Sequence, residues 1–245
     1  MNVASERRVN VRGPDFICIG MEKAGTGWLY DQIDHAEGAW MSPIKELNHF
    51  CGDPFTPFNL QRLEELKRRQ DLSPRDREFV RVFDNGSRRG RDAAWYRETF
   101  AIKDGLVSGD ISPNYAMAGP REIDAAVREC PDARYVLTHR DEDAWIASCV
   151  SFYRDRRIRP MRVWMFGSHA DPSRDEASRQ AWLEAYRAHN AAVREFFAGR
   201  PGQYMEVDPT REPDWDRLCA FLDAPIPCQP WPHANASKRN RPWRH

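Results

Sequence analysis

The feature that most constrains this chain is Asp15-Phe-Ile-Cys-Ile-Gly-Met21, an apolar run that gives way at once to Glu22-Lys-Ala-Gly-Thr-Gly-Trp28. A short continuous apolar run followed by a glycine turn reads as a strand buried on both faces, the condition of a parallel sheet covered by helices. From Trp28 to Ala36, the residues Leu29, Ile33 and Ala36 recur at helical spacing, so the chain opens with a strand, loop and helix. The alternation resumes downstream. Pro120 to Cys130 begins with proline and sets Ile123, Ala126, Val127 and Cys130 on one helical face. Ala133 to Thr138 reads as a strand. Glu142 to Tyr153 reads as a helix striped by Trp145, Ile146, Cys149, Val150 and Tyr153. Asp175 to Phe197 is a longer helix with Trp182, Tyr186, His189, Val193 and Phe196 on its apolar side. Gln203 to Val207 suits a strand and Trp215 to Leu222 a short amphipathic helix. This order predicts an α/β fold with three layers, α/β/α, around a central, mainly parallel sheet.

A length of 245 residues suits one such domain, and 41% hydrophobic residues supply its core. The 37 basic and 37 acidic side chains cancel, which argues against a polybasic nucleic-acid binder and leaves room for local positive pockets. No stretch approaches the ~20 apolar residues of a membrane span. The N-terminus has no apolar run of signal-peptide length, and the six cysteines show neither a CxxC nor a metal-type spacing. A cytoplasmic protein with reduced thiols and no bound metal is expected, and a homodimer is left open.

Residues 54–100 differ in character. They are rich in Arg, Lys, Glu and Asp, with an exposed helix expected over Leu60 to Arg69 and a loop over Asp84 to Arg91. A solvated surface is the default reading of this insertion, with a lid on the acceptor side as the functional one. Leu106-Val107 is a short strand candidate. The tail from Ala224 to His245 is rich in proline and basic residues and reads as a loop or an ordered arm.

The loop after the first strand carries chemistry. In a parallel sheet, ligands bind at the carboxyl ends of strands. A helix N-terminus there offers N–H groups and a positive dipole end to an anion. Gly25 and Gly27 let the backbone approach a phosphate, Thr26 adds a hydroxyl and Lys23 a cation. A Walker A loop is excluded: Lys23 precedes the glycines, and Ala24 stands where a magnesium-binding hydroxyl belongs.

Lys23-Ala-Gly-Thr-Gly-Trp-Leu29 resembles the 5′-phosphosulfate loop of sulfotransferases that use 3′-phosphoadenosine 5′-phosphosulfate (PAPS), with Gly27 replacing a usual side-chain donor. Three further segments follow in the order of that family. Lys45-Glu46 with Asn48, His49 and Phe50 resembles the Lys-Glu-x-x-x-Phe segment of the bacterial and carbohydrate branch, where the Glu is the proposed base. Gly109-Asp-Ile-Ser-Pro-Asn-Tyr115 resembles a segment lining the acceptor side, with Asp110 in place of Glu. Tyr135 to Arg140, with Ser148 eight residues after the arginine, resembles the 3′-phosphate segment. There the planar guanidinium and a hydroxyl suit a phosphate. Asp141-Glu-Asp143 departs from the family pattern, and helix capping is the natural use of such residues. Lys238 and Arg239 echo a late basic loop that closes over the 3′-phosphate.

The resemblance implies a single P-loop-like sulfotransferase domain over residues 1–245. Residues 14–50 would hold the loop and base segment, 105–223 the 3′-phosphate half and 224–245 the basic arm. It implies PAPS as co-substrate and no metal. It also implies in-line transfer to a hydroxyl or amine of a small-molecule or carbohydrate acceptor. Lys23 is expected to stabilise the leaving oxygen and Glu46 or His49 to take the acceptor proton. Lys23, Ala24, Gly25, Thr26, Gly27, Trp28, Arg140, Ser148, Lys238 and Arg239 would hold the nucleotide, and Lys45, Asp110, Ser112 and Tyr115 the acceptor. Three alternatives stand beside this reading: a small-molecule or nucleotide kinase of the same fold class, an inactive nucleotide-binding relative, and an enzyme using an aryl sulfate donor. Some of the nine tryptophans, Trp95 and Trp164 among them, could stack on an acceptor, although packing is the ordinary use of most.

Overall fold

The structure is a computed structural model, and it describes residues 13–51, 56–115, 119–154, 171–209 and 215–223. Four strands form one sheet: β1 (Phe16–Gly20), β2 (Gly109–Ile111), β3 (Arg134–Thr138) and β4 (Tyr204–Val207), in the order β2-β1-β3-β4. Every pairing is parallel, with Cys18 opposite Ile111 on one side and Val136 on the other.

The uninterrupted apolar run of β1 has a direct physical cause. Ile17 and Ile19 face one buried core, with Tyr135, Leu137 and Trp145. Phe16 and Cys18 face a second, with Leu29, Ile33, Val136 and Leu218. Neither face of the strand has water to offer a polar side chain, so period-two alternation is absent.

Among the described residues there are eight α-helices, numbered in chain order. α1 (Thr26–Asp34) and α8 (Trp215–Leu222) contribute to the second core. The others are α2 (Thr56–Lys67), α3 (Pro74–Arg89), α4 (Ala93–Ala101), α5 (Pro120–Glu129), α6 (Glu142–Arg154) and α7 (Glu176–Phe197), and they contribute to the first core. The helices expected from Pro120, Glu142, Asp175 and Trp215 all form. Asp175 caps α7 by accepting the Ser178 N–H at 2.7 Å. On α7 the buried side is Trp182, Leu183, Tyr186, Asn190, Val193 and Phe197, whereas His189 and Phe196 sit half-buried at its margin.

Three local expectations need correction. Residues 54–100 are no solvated insertion: α2, α3 and α4 send Leu63, Leu66, Phe79, Phe83, Trp95, Tyr96 and Phe100 into the main core. The charges that dominate the composition line the outer faces, for example as the Lys67–Asp84 and Arg81–Glu78 ion pairs. The expected loop from Asp84 is helical as far as Arg89. Gly86 lies there because a Cβ would stand 1.6 Å from the Trp95 ring, so a glycine that reads as a turn is a packing requirement. The strand expected at Leu106-Val107 begins two residues later, at Gly109. Val107 instead makes an isolated parallel bridge with Ala39.

Among the described residues, no helix is long and apolar enough to cross a membrane, and no group of His, Cys, Asp or Glu could hold a metal ion. Trp164, Lys238, Arg239 and the arm over 224–245 lie outside the described residues.

Candidate active site

Two loops meet at the carboxyl ends of β1 and β3. The first runs from Met21 to Gly25. Met21 N–H donates to the Thr138 carbonyl (2.7 Å) and the Thr138 hydroxyl to the Gly20 carbonyl (2.8 Å), which locks the loop's start to β3. Gly25 caps α1 at φ 92°, and a Cβ there would lie 2.7 Å from Pro209. Both the backbone and the neighbour therefore demand glycine. The first helical bond of α1 is Leu29 N–H to the Gly25 carbonyl. The N–H groups of the preceding turn, Thr26 to Trp28, point toward the loop as a helix N-terminus requires.

Lys23 sits in this loop at φ 63°, with its ammonium 4.0 Å from the centre of the Phe152 ring. Glu46 and Asn48, in the facing segment, share the left-handed region at φ 62° and 50°. Each such residue costs on the order of 1 kcal/mol, so the surroundings must impose the conformation. They do so through hydrogen bonds. Asn48 N–H donates to the Ser112 hydroxyl (3.0 Å), and its side-chain amide to the Glu46 carbonyl (2.9 Å). Asn114 donates to the Asn48 side-chain oxygen (3.1 Å). His49 N–H donates to the Tyr115 hydroxyl (2.9 Å).

Asp110 lies beneath this frame, 2% exposed, accepting from the hydroxyls of Ser112 (2.6 Å), Tyr115 (2.6 Å) and Tyr96 (2.9 Å). Burial pushes its carboxyl above the usual range, against those three hydroxyl donors. Asp110, Ser112 and Tyr115 were expected to face an acceptor. Their side chains are buried instead and spend their hydrogen bonds on each other and on Asn48 and His49. They shape the base segment from below.

Glu46 and His49 part company. The Glu46 carboxylate is one-third exposed and lies 3.7 Å from the Lys45 ammonium. Burial raises its pKa, and Lys45 opposes the rise. Lys23 and Lys45 both act on Glu22, and Glu46 raises it further, so the Lys23 loop and the Glu46 segment form one electrostatic unit. The His49 side chain is only 7% exposed. It stacks on Tyr96 with ring centres 4.4 Å apart, and Nε2 lies 3.2 Å from Glu129. Burial lowers its pKa, so the ring favours the neutral form.

Arg140 stands just past β3. Its Nε is buried with no hydrogen-bond partner, an unmet donor of the kind that an anion satisfies. Ser148 is half-buried two turns into α6. Asp141 and Glu142 line the same cleft as Arg140 but are engaged by other partners. Asp141 caps α6 by accepting the Ala144 N–H (3.1 Å), and Glu142 is held by Arg187.

Sequence reasoning missed Glu22, Trp145 and Tyr186 as site residues. Burial and the Glu46 carboxylate push the Glu22 carboxyl up to about 7. The Trp145 indole donates to the Glu22 carbonyl at 2.8 Å, and no residue pattern announces a contact across 123 positions.

Residues 122–240 match the family model described as a sulfotransferase domain. No curated protein matches the chain in sequence. Among solved structures, a sulfotransferase from Alicyclobacillus acidocaldarius is 19% identical with a TM-score of 0.54, covering 94% of this chain and 87% of the other. The sulfotransferase domain from the curacin biosynthetic pathway is 16% identical with a TM-score of 0.56 over 89% of this chain and 76% of that one. The sulfotransferase domain of the Synechococcus PCC 7002 olefin synthase is 19% identical with a TM-score of 0.57 over 87% and 74%. The sulfotransferase-domain model thus matches the later part of the chain, and the fold of solved sulfotransferases is shared along most of its length.

Proposed function

We propose that the protein moves the sulfuryl group of PAPS to a hydroxyl or amine of a small-molecule or carbohydrate acceptor, within a single domain. The observation that carries this reading is the pairing of a glycine-capped anion loop bearing Lys23 with a buried, unpartnered Arg140 Nε at the next strand end. Two anion sites on adjacent strands suit a nucleotide with phosphates at both ends of its ribose.

Backbone N–H groups from Gly25 to Trp28 and the Thr26 hydroxyl hold the 5′-phosphate. Arg140 and Ser148 hold the 3′-phosphate, with Lys238 and Arg239 of the arm as further candidates. Glu46 takes the acceptor proton as the acceptor oxygen bonds to sulfur. The bond from sulfur to the bridging oxygen breaks, and Lys23 stabilises the charge left on the diphosphate product. Glu46 suits the role better than His49, whose ring is stacked and bonded away from the loop. Lys45 reaches the acceptor beside Glu46. Both residues line a cavity of about 550 Å³ with Tyr30, Asp31, Arg62 and Asp76, room for a sugar-sized acceptor.

Calorimetric titration tests the donor reading. The protein should bind 3′,5′-diphosphoadenosine. Arg140→Ala should weaken that ligand about 10–100-fold while leaving adenosine 5′-phosphate within about twofold. Equal losses for both nucleotides remove the 3′-phosphate assignment. Sulfated product from labelled PAPS and a panel of acceptors then identifies the acceptor.

A further inference from the structure

Resting on the donor reading above, we propose that Trp145 and Tyr186 are positioning residues that hold the two anion sites at a fixed separation. Four contacts form a continuous chain. The Trp145 indole N–H donates to the Glu22 carbonyl at 2.8 Å, one residue before Lys23. The Trp145 ring stacks on Tyr186, with centres 4.4 Å apart and planes at 28°. The Tyr186 hydroxyl donates to the Arg140 carbonyl at 2.7 Å and accepts the Arg140 N–H at 2.9 Å. One side chain therefore closes both backbone groups of the residue whose guanidinium is the 3′-phosphate candidate.

Both rings are deeply buried, Trp145 at 1% and Tyr186 at 3% exposed. Packing at that density leaves little room for a ring to tilt without its neighbour. Asn190, one turn further along α7 and 4% exposed, lies beside Tyr186 and pulls its pKa down against the rise from burial. Two helices, α6 and α7, thus reach the two loops through a single aromatic pair. Both rings also belong to the main core. Their polar atoms, the indole nitrogen and the phenol oxygen, are both spent on the loops.

The test separates positioning from simple support. Tyr186→Phe keeps the stack and leaves the Arg140 backbone pair unmet. It should weaken 3′,5′-diphosphoadenosine about 10-fold and adenosine 5′-phosphate by less than about twofold. Trp145→Phe should weaken both ligands about fivefold, because it frees the 5′ loop that each uses. In the double variant, the loss for the diphosphate should be smaller than the product of the single losses, since the two act as one unit. Multiplying losses, or a Tyr186→Phe effect equal on both nucleotides, overturns the proposal. Amide hydrogen exchange on the ligand-free protein keeps the two readings apart. Trp145→Phe, which alters the stack, should speed exchange at 22–26 and, through Tyr186, at 139–141. Faster exchange confined to 22–26 overturns the coupling. A parent protein that binds neither nucleotide removes the donor reading alone.

Discussion

Glu22 offers a sharp test of the site's electrostatics, because it places a half-buried acid beside a second one. Its pKa is pushed up from 4.5 to about 7, first by burial and then by the Glu46 carboxylate, against the pull of Lys23 and Lys45. The folded protein therefore holds a proton on Glu22 more tightly than the unfolded chain does. Between pH 4.5 and about 7 the folded state binds the extra proton, so stability falls as pH rises through that window. The cost is complete above pH 7 and absent below 4.5. A difference of some 2.5 units corresponds to a ceiling of about 3 kcal/mol at roughly 1.4 kcal/mol per unit. Contact with water at the half-buried side chain screens this to roughly 1–2 kcal/mol.

Glu22→Gln removes the charge and keeps the shape. Urea unfolding of parent and variant at pH 5, 6, 7 and 8 should show the variant gaining on the parent as pH rises, with the gap widest at pH 8. Denaturant slopes should not change, so the shift appears in the midpoint. A parent more stable than the variant at pH 8 would mean that ion pairing with Lys23 and Lys45 outweighs burial and Glu46. That result, or a gap independent of pH, refutes the account.

Two further predictions concern the base and the insertion. Glu46→Gln should lower kcat about 10²–10⁴-fold with donor affinity kept, and parental kcat/KM should fall with acidification from a pH above the ordinary glutamate range, since burial raises Glu46. His49→Ala should instead cost about 2–4 kcal/mol of stability while turnover per folded molecule survives; the reverse outcome moves the base to His49. Gly86→Ala should destabilise by about 1–3 kcal/mol, read by chemical denaturation, because a methyl collides with Trp95 and helix propensity returns only about 1 kcal/mol.

How much of this was legible follows from what local sequence can encode. Strand β1 and helices α5 to α8 were readable because their burial is periodic along the chain: a strand covered on both faces is apolar throughout, and a helix covered on one face is striped. The Lys23 to Trp28 loop was readable for a related reason, since a helix N-terminus and a left-handed glycine have local signatures. Where burial depends on partners far along the chain, the same residue types misled. Gly86 resembles a turn glycine until the Trp95 ring is laid against it. Asp110 resembles a substrate contact until three hydroxyls close around it.

The arginine-rich stretch over 54–100 looked solvated because its charges dominate its composition, while its leucines and aromatics decide where it packs. The same logic explains why Glu46 and His49 could not be ranked from their spacing. Three residues apart on an irregular segment, they have no shared face to compare. Positive φ at Glu46 and Asn48 turns the chain so that one side chain meets Lys45 near water and the other slides under Tyr96. That turn is held by Ser112 and Tyr115, which stand on Asp110. In the proposed mechanism the choice of base is therefore made by a buried carboxylate more than sixty residues away, and a substitution at Asp110 should disturb Glu46 without touching the reacting atoms.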